Sequence, residues 1–572
     1  MTNDEPQVKK RNISRGISRN TTTNRHPLNV KPSGNSLIFS DKALKEEREC
    51  QLGDFKSFDD ELIMELLGYI RNPRDLKNLS LTSRVWYAYI YDEELWRKLY
   101  ISRALKEEKE MGDDAPVPPL GIKYWNGSWR RTMLHLPEAK EAKIQLPDNL
   151  LCSDVLFRPY QCSQIDYDDL FKDIIEEEHE SYLLKRTLNE KFGIPRYSEQ
   201  WMTQERFNED FTNKPFILTK ESETRWPSWS LPELKSRFPT VKFRQESVQW
   251  PLEFYSQYFV SNSDESPLYL FDCQSSAMKQ LVTEYKVPDI FKDDIFTVFN
   301  EQNCRPDYRW IIVGPTRSGS TFHKDPNATS AWNANLTGKK LWVMLPPGVK
   351  PPGVGTDDEE SEVTSPVGVA EWVLSGFYND SVKLALDGKC QIGITFPGEC
   401  MYVPSGWWHT VINLEDSVAL TQNFVPSGAL GEALWFLKRK EDQVSGFHVK
   451  DLKKSIEKFV ANNNVKGENM DVLKDWLKDV SNKTLDNEDV GECSHFAKLP
   501  IYEYFVELIK AKAEYANLLE DGMKTMEKLE KEERERSEPR VVPSKKWDQL
   551  VEQEHQSTSA FSFNFDESEN DE

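Results

Sequence analysis

The segment Gly314-Pro-Thr-Arg-Ser-Gly-Ser-Thr-Phe-His323-Lys-Asp325-Pro carries two metal-competent side chains two positions apart. On a strand, residues i and i+2 point to the same face. An imidazole nitrogen of His323 and a carboxylate oxygen of Asp325 could therefore share one ion. A third protein ligand would complete one face of an octahedron and leave the opposite face open. That 2-His-1-carboxylate arrangement suits ferrous iron with room for a bidentate ligand and dioxygen. His-x-Asp alone is weak evidence, because an acidic chain with 8 His gives such a match by chance about as often as not.

The small number of histidines narrows the search for the third ligand. His26 and His555 lie in polar tails, His135 and His179 precede the β-rich region, and His448 and His495 follow it in helical surroundings. Only His409 shares that region with His323. It sits in Val403-Pro404-Ser405-Gly406-Trp407-Trp408-His409-Thr410-Val411-Ile412-Asn413. A turn followed by an apolar strand puts His409 at a strand start near a barrel mouth, where pockets occur. Trp407 and Trp408 could wall the site.

The elements that must position these residues are short strands. Runs at 268–271, 310–313, 341–345, 392–396, 401–403 and 418–420 alternate with turns such as Gly314-Pro315, Pro346-Pro347-Gly348 and Pro397-Gly398. This is the pattern of an all-β sandwich or barrel. Residues 215–218 read as a further buried strand, and the acidic run 357–362 as a solvated loop.

At these residues the chain resembles the JmjC domain, a double-stranded β-helix of the cupin or jelly-roll type. It is most similar to the branch containing JmjC domain-containing protein 6. The matching segments, in order, are Ser266-Pro-Leu-Tyr-Leu-Phe-Asp272, Tyr285-Lys-Val-Pro288, Tyr308-Arg-Trp310, Gly314-Pro-x-Arg-Ser-Gly319, His323-x-Asp325-Pro, Thr329-Ser-Ala-Trp-Asn-Ala334, Gly398-x-x-x-Tyr-Val-Pro-x-Gly-Trp-Trp-His409 and Thr421-Gln-Asn-Phe424. They span roughly residues 200–430.

The resemblance implies Fe(II) held by His323, Asp325 and His409, with 2-oxoglutarate as cosubstrate and O2 as oxidant. Lys340, in Gly338-Lys339-Lys340-Leu341-Trp342, matches the lysine that pairs with the distal carboxylate of 2-oxoglutarate. From the residues alone Lys339 competes with it, since strand alternation turns only one of the two inward. Thr421, Asn333 and Tyr269 match polar residues near the cosubstrate, and Ser320 keeps a hydroxyl where the family often has Thr. The implied reaction couples decarboxylation of 2-oxoglutarate to succinate with hydroxylation of a C–H bond. On an N-methyl group the product loses formaldehyde, which is demethylation. The implied substrate is a protein Lys, or a methylated Lys or Arg. A zinc hydrolase could use the same ligands, but no general base resembling a hydrolase's accompanies them.

Upstream, Leu62, Leu66, Leu67 and Ile70 fall at helical spacing and Asn72-Pro73 breaks the pattern. Phe58 to Leu67, Leu79-x-Leu81-Thr82-Ser83-Arg84-Val85-Trp86 and Leu95-Trp96-x-x-Leu99 resemble an F-box, with Phe58-Asp59 where that family usually has Leu-Pro. This implies docking on the Skp-type adaptor of a cullin ubiquitin ligase through residues 55–100, and a second reading in which the β domain mainly recognises a partner.

The expected architecture is α+β and multidomain. It comprises a disordered basic tail (1–45), an F-box-like helical domain (50–105), a helical or irregular linker (106–195), the JmjC cupin domain (196–430), a helical C-terminal region (431–535) and a disordered acidic tail (536–572). Trp125, Trp129, Phe157 and Tyr160 are expected to pack the linker on a neighbour, and 503–534 to form one long helix. A net charge of −22 argues against general phosphate binding and suits a basic substrate, histone-like or from RNA processing. None of the 8 Cys forms a C-x-x-C pair, so they read as reduced intracellular thiols. No apolar signal or membrane-length run is visible. Lys9-Lys10-Arg11 fits a nuclear import signal as well as a solvated tail, so the expected location is nucleus, cytoplasm or both.

Overall fold

Two facing sheets carry the centre of the molecule. The structure is a computed structural model and describes residue 46 and residues 49–111, 129–136, 167–481 and 499–537, less short stretches at 59, 92, 247, 263–266, 358, 362, 365–367, 375–376 and 464–466. The expected disordered tails, apart from residues 536 and 537, which end a helix, and Trp125, Phe157 and Tyr160 lie outside the described residues. No described helix is long and apolar enough to cross a membrane.

The strands in chain order are β1 (Arg196–Tyr197), β2 (Phe216–Leu218), β3 (Lys242–Gln245), β4 (Val248–Pro251), β5 (Leu270–Asp272), β6 (Arg309–Gly314), β7 (Gly319–His323), β8 (Ser330–Thr337), β9 (Lys340–Leu345), β10 (Gly355–Thr356), β11 (Val363–Thr364), β12 (Gln391–Thr395), β13 (Cys400–Val403), β14 (Trp408–Asn413) and β15 (Ser417–Phe424). A nine-stranded sheet runs β1-β2-β13-β8-β15-β6-β5-β3-β4 and faces a four-stranded sheet β12-β9-β14-β7; β10 and β11 form a separate hairpin. From β6 to β9, and again from β12 to β15, consecutive strands alternate between the two sheets, as in a cupin jelly roll.

Period-2 alternation sorts the side chains. On β9, Leu341, Val343 and Leu345 pack outward under helices, while Trp342 and Met344 pack inward with Val411 of β14 and Met401 and Val403 of β13. On β8, Trp332 and Ala334 join the outer core and Ala331 the inner one. The registers Lys340↔Asn413, Trp342↔Val411, Met344↔His409 and His323↔His409 line the inner face of the small sheet in rows. Lys340, His409 and Asn413 thus share the face of Trp342 and Val411.

The N-terminal helices are α1 (Asp60–Gly68), α2 (Pro73–Ser80), α3 (Arg84–Ile90) and α4 (Glu93–Met111). Asn72 caps α2, its Oδ1 accepting the Arg74 amide at 3.0 Å, with Pro73 in the first turn. A cap of this kind contributes about 1 kcal/mol. The buried stripe of α1 is Ile63 and Leu67, with Ile70 packed beside it. Leu62 points out at 43% exposure, so the expected face is rotated by one residue. This unit is not separate from the barrel: Tyr100 of α4 meets Trp129 at a centroid distance of 5.1 Å, and Trp129 meets Trp250 of β4 and Tyr258 at 6.1 and 5.6 Å.

Part of the expected linker also belongs to the barrel. Helix α5 (Lys172–Leu183) covers the small sheet and sends Glu178 to Arg196 at 2.8 Å. Arg196 also reaches Glu399 at 2.9 Å and the Ile394 carbonyl at 2.7 Å, all three side chains being almost wholly buried. The acidic run beginning at Asp357 is likewise not a free loop. Glu360 accepts Lys324 Nζ at 2.5 Å, and Glu359 pairs with Lys440.

The C-terminal region is helical, with α6 (Leu430–Arg439), α7 (Val449–Asn462), α8 (Glu468–Ser481), α9 (Ile501–Lys510) and α10 (Ala516–Ser537). The single long helix expected at 503–534 is two. Lys512 is extended (φ −112°, ψ 108°), and the break lets α10 turn back on α6. There Gly431 sits against Thr525 and Gly522 against Leu430, close approaches that a β-carbon would obstruct.

Candidate metal and cosubstrate site

Between the sheets lies a cavity of about 510 Å³ whose lining includes His323, Asp325, His409, Ser320, Asn333 and Thr421. His323 ends β7 and His409 is the second residue of β14, so pairing of those strands sets their rings 4.2 Å apart. The strand expected to carry both His323 and Asp325 stops at His323. Asp325 follows in extended backbone (φ −62°, ψ 143°), capping a short 3-10 turn, and still points inward. One ligand atom from each of the three residues lies within 4.8 Å of the others.

The hydrogen bonds of the two rings set their tautomers. His323 Nδ1 lies 2.8 Å from the Thr321 carbonyl, and His409 Nδ1 lies 3.1 Å from the Trp407 carbonyl. A carbonyl only accepts, so each Nδ1 carries a proton, which in the neutral ring leaves Nε2 with the lone pair. This is how metal-bound imidazoles are commonly oriented. Burial, reinforced by the charge His323 would carry, pulls the His409 imidazole well down, and burial pushes the Asp325 carboxyl up. Asp325 Oδ2 is buried with no hydrogen-bond partner. Two imidazoles clustered with a carboxylate, one oxygen of which is buried and unpartnered, form a donor set that a divalent cation fits.

Alternation resolves the lysine pair. Lys340 turns inward and is fully buried, while Lys339 turns out to Glu415 at 2.6 Å. Lys340 Nζ donates to Asn413 Oδ1 at 2.8 Å and to the Tyr269 hydroxyl at 3.4 Å, and pairs with no carboxylate of the described residues. Burial brings its ammonium down to about 7. Lys340 stands one layer behind the cavity wall, and Tyr269 is the part of that wall it touches. Gly314 makes this possible, because a β-carbon there would collide with Tyr269, Asn413 and Ser318. Thr421 Oγ1 donates to the Trp332 carbonyl at 2.7 Å, and Asn333 Oδ1 is buried without a partner. Ser320 lines the cavity beside Val411. A buried ammonium with no carboxylate partner among the described residues is a setting that an anionic molecule would complete.

Some expectations need correction. Trp408 faces away from His409 and packs in the outer core, with Lys324 Nζ 4.9 Å from its ring centroid; Trp407 packs against the inner core. The aromatic that does line the cavity beside His409 is Trp342. Sequence reasoning also missed Glu246, at the tip of the β3–β4 hairpin, and Asn413. Asn413 was detectable as the residue four beyond His409 on the same strand face.

Fold and site together define a cupin-fold metal centre of the JmjC kind. A family model described as a cupin-like domain matches residues 201–429, and one described as F-box-like matches residues 60–102. The chain is similar to arginine-specific demethylase JMJ22 of Arabidopsis thaliana, 36% identical over 433 residues that cover 73% of this chain and 77% of that protein. It is also similar to the bifunctional arginine demethylase and lysyl-hydroxylase psr-1 of Caenorhabditis briggsae, 36% identical over 41% of this chain and 62% of the relative. The 2-oxoglutarate and iron-dependent oxygenase JMJD4 of Mus musculus is 28% identical over 38% of this chain and 49% of its own length. The chain belongs to the JmjC family and carries an F-box-like region ahead of its cupin domain.

Proposed function

We propose that the protein is an Fe(II)- and 2-oxoglutarate-dependent dioxygenase that hydroxylates or demethylates a protein side chain, a Lys or a methylated Lys or Arg. The observation that carries this reading is the cluster of His323, Asp325 and His409, whose ligand atoms lie within 4.8 Å of one another, together with a carboxylate oxygen of Asp325 that is buried without a hydrogen-bond partner. Those three residues would hold the iron. Lys340 would pair with the distal carboxylate of 2-oxoglutarate, with Tyr269, Asn333, Ser320 and Thr421 around it. The iron and cosubstrate, when bound, supply the oxidation of a C–H bond by dioxygen. The chain's own contribution is orientation and exclusion of water. The carbonyls of Thr321 and Trp407 fix the imidazoles, Tyr269 and Asn413 fix the ammonium, and Trp342 and Val411 wall the cavity. The relatives named for arginine demethylation and lysyl hydroxylation support this substrate class, as does the net charge of −22, which favours a basic protein such as a histone-like or RNA-processing factor.

Succinate release by purified protein with Fe(II) and 2-oxoglutarate tests the chemistry; a folded sample with no turnover and no metal binding refutes it. Mass spectrometry of cellular proteins after His323→Ala identifies the substrate through lost hydroxylation or gained methyl marks.

A second reading, compatible with the first, is favoured by the F-box-like match. Residues 55–100 would dock a Skp-type adaptor of a cullin ubiquitin ligase. Leu62, Tyr69 and Leu81 are exposed at 43%, 69% and 72% and offer an apolar face. Leu62→Asp with Tyr69→Asp should abolish adaptor pull-down without unfolding, whereas Leu67→Asp would break the core. Undiminished pull-down by the double variant refutes this docking mode. We further propose a location in nucleus, cytoplasm or both, supported by the Lys9-Lys10-Arg11 run, which imaging of a fluorescent fusion tests.

A further inference from the structure

The F-box-like unit reaches the oxygenase cavity through one side chain. Arg97 lies on α4, is 7% exposed, and donates from Nη2 to Glu246 Oε2 at 2.7 Å. Glu246 is the hairpin-tip residue of β3–β4, held in left-handed backbone (φ +51°), and it lines the metal cavity. Its other oxygen, Oε1, accepts the backbone N–H of Tyr269 at 3.2 Å. Tyr269 carries the hydroxyl 3.4 Å from Lys340 Nζ. A chain of contacts therefore runs from the F-box-like helix to the buried ammonium: Arg97 to Glu246, Glu246 to the Tyr269 backbone, and the Tyr269 ring to Lys340.

Each link has a physical reason. Burying a guanidinium is costly unless it is paired, and α4 aims this one at the barrel rather than at solvent. A helix serving only as a docking module gains nothing from that. Glu246 is a short bridge because it sits at a hairpin tip and both its oxygens are engaged, although its side chain is 43% exposed. The segment it holds is the one that matters: Tyr269 stands between Lys340 and the cavity, so its placement decides how the ammonium meets a ligand.

We infer that Arg97 is a positioning residue for the oxygenase, acting through Glu246 to set Tyr269 for binding of a dicarboxylate cosubstrate at Lys340. The inference rests on the proposed cosubstrate role of Lys340. It makes the F-box-like helix part of the active-site wall.

The test uses the full-length protein with Mn(II) or Fe(II), measuring the Kd for 2-oxoglutarate directly and its KM in succinate release. Arg97→Met keeps the buried aliphatic stem and removes the charge; Glu246→Gln keeps an acceptor for Tyr269 and removes the charge. Each should raise Kd and KM for 2-oxoglutarate roughly five- to tenfold, an effect of about 1–1.4 kcal/mol, with kcat at saturating cosubstrate within twofold. The double variant should be no worse than either single one, as for two residues of one unit. Arg97→Lys, which keeps a positive charge and donor at this position, should recover most of the loss. A purely structural role would instead lower kcat with the folded fraction and leave Kd unchanged; that result, or two singles with wild-type Kd, overturns the inference. A wild type that neither binds nor turns over 2-oxoglutarate overturns the cosubstrate reading itself.

Discussion

Lys340 should make cosubstrate affinity fall steeply between pH 6 and pH 8. Burial brings its ammonium from an ordinary 10.5 to about 7. A Lys whose folded value is lowered leaves the unfolded chain with more bound protons between those two values. Stability therefore rises as pH climbs from 7 through 10.5, and below 7 the fold carries the full cost of a buried ammonium, on the order of 5 kcal/mol. A carboxylate bound at Nζ removes that penalty, because it gives the buried cation a partner. It follows that 2-oxoglutarate binds the protonated lysine. At pH 6 most molecules are ready, and at pH 8 about one in ten is, so the apparent Kd should be roughly tenfold higher at pH 8. Binding at pH 8 should take up close to one proton. Calorimetric titration at saturating Mn(II), in two buffers of different ionisation enthalpy, measures both quantities. Lys340→Met should bind far more weakly and lose the pH dependence. A Kd constant from pH 6 to pH 8 with no proton uptake would refute the assignment of Lys340 to the anion.

Asp325→Ala should abolish Mn(II) binding measured by electron paramagnetic resonance while leaving the thermal midpoint unlowered, since it deletes a buried carboxylate one of whose oxygens has no partner; retained metal at micromolar affinity would argue against this ligand set. Gly314→Ala should push Tyr269 and Asn413 off Lys340 and weaken 2-oxoglutarate binding at least tenfold with metal affinity intact; equal loss of both would mean a general collapse instead. Arg196→Met should cost about 3–5 kcal/mol in urea unfolding, because it leaves Glu178 and Glu399 buried without their cation; a loss below 1 kcal/mol would show that the two carboxyls simply protonate.

The histidines were legible because there are so few of them, and elimination by region needs no three-dimensional knowledge. The choice between Lys339 and Lys340 was reduced to strand phase, which one residue of register decides. Strand β8 escaped notice because Ser330-Ala-Trp-Asn-Ala-Asn-Leu-Thr buries amides: Asn335 donates to the Gly338 and Thr395 carbonyls and so behaves as core. Trp408 was assigned to the wrong face for the same reason of phase, since its neighbour His409 takes the inner one. The break between α9 and α10 has no Pro or Gly to announce it. Contacts such as Arg97–Glu246, which join positions 149 apart, exist only once the α4 helix has docked on the β3–β4 hairpin.

The aromatic junction of Tyr100, Trp129, Trp250 and Tyr258 has a consequence for reach. Rings interleaved across a boundary make a weld, where a linker would make a swivel. If α1 and α2 grip a ligase adaptor, a protein whose side chain enters the cavity is held at one fixed distance and bearing from that adaptor. The molecule would then act as a ruler: ubiquitin could reach only those lysines of the substrate that the weld brings under the conjugating enzyme. Shortening or loosening the junction would change which lysines are marked without touching either binding site.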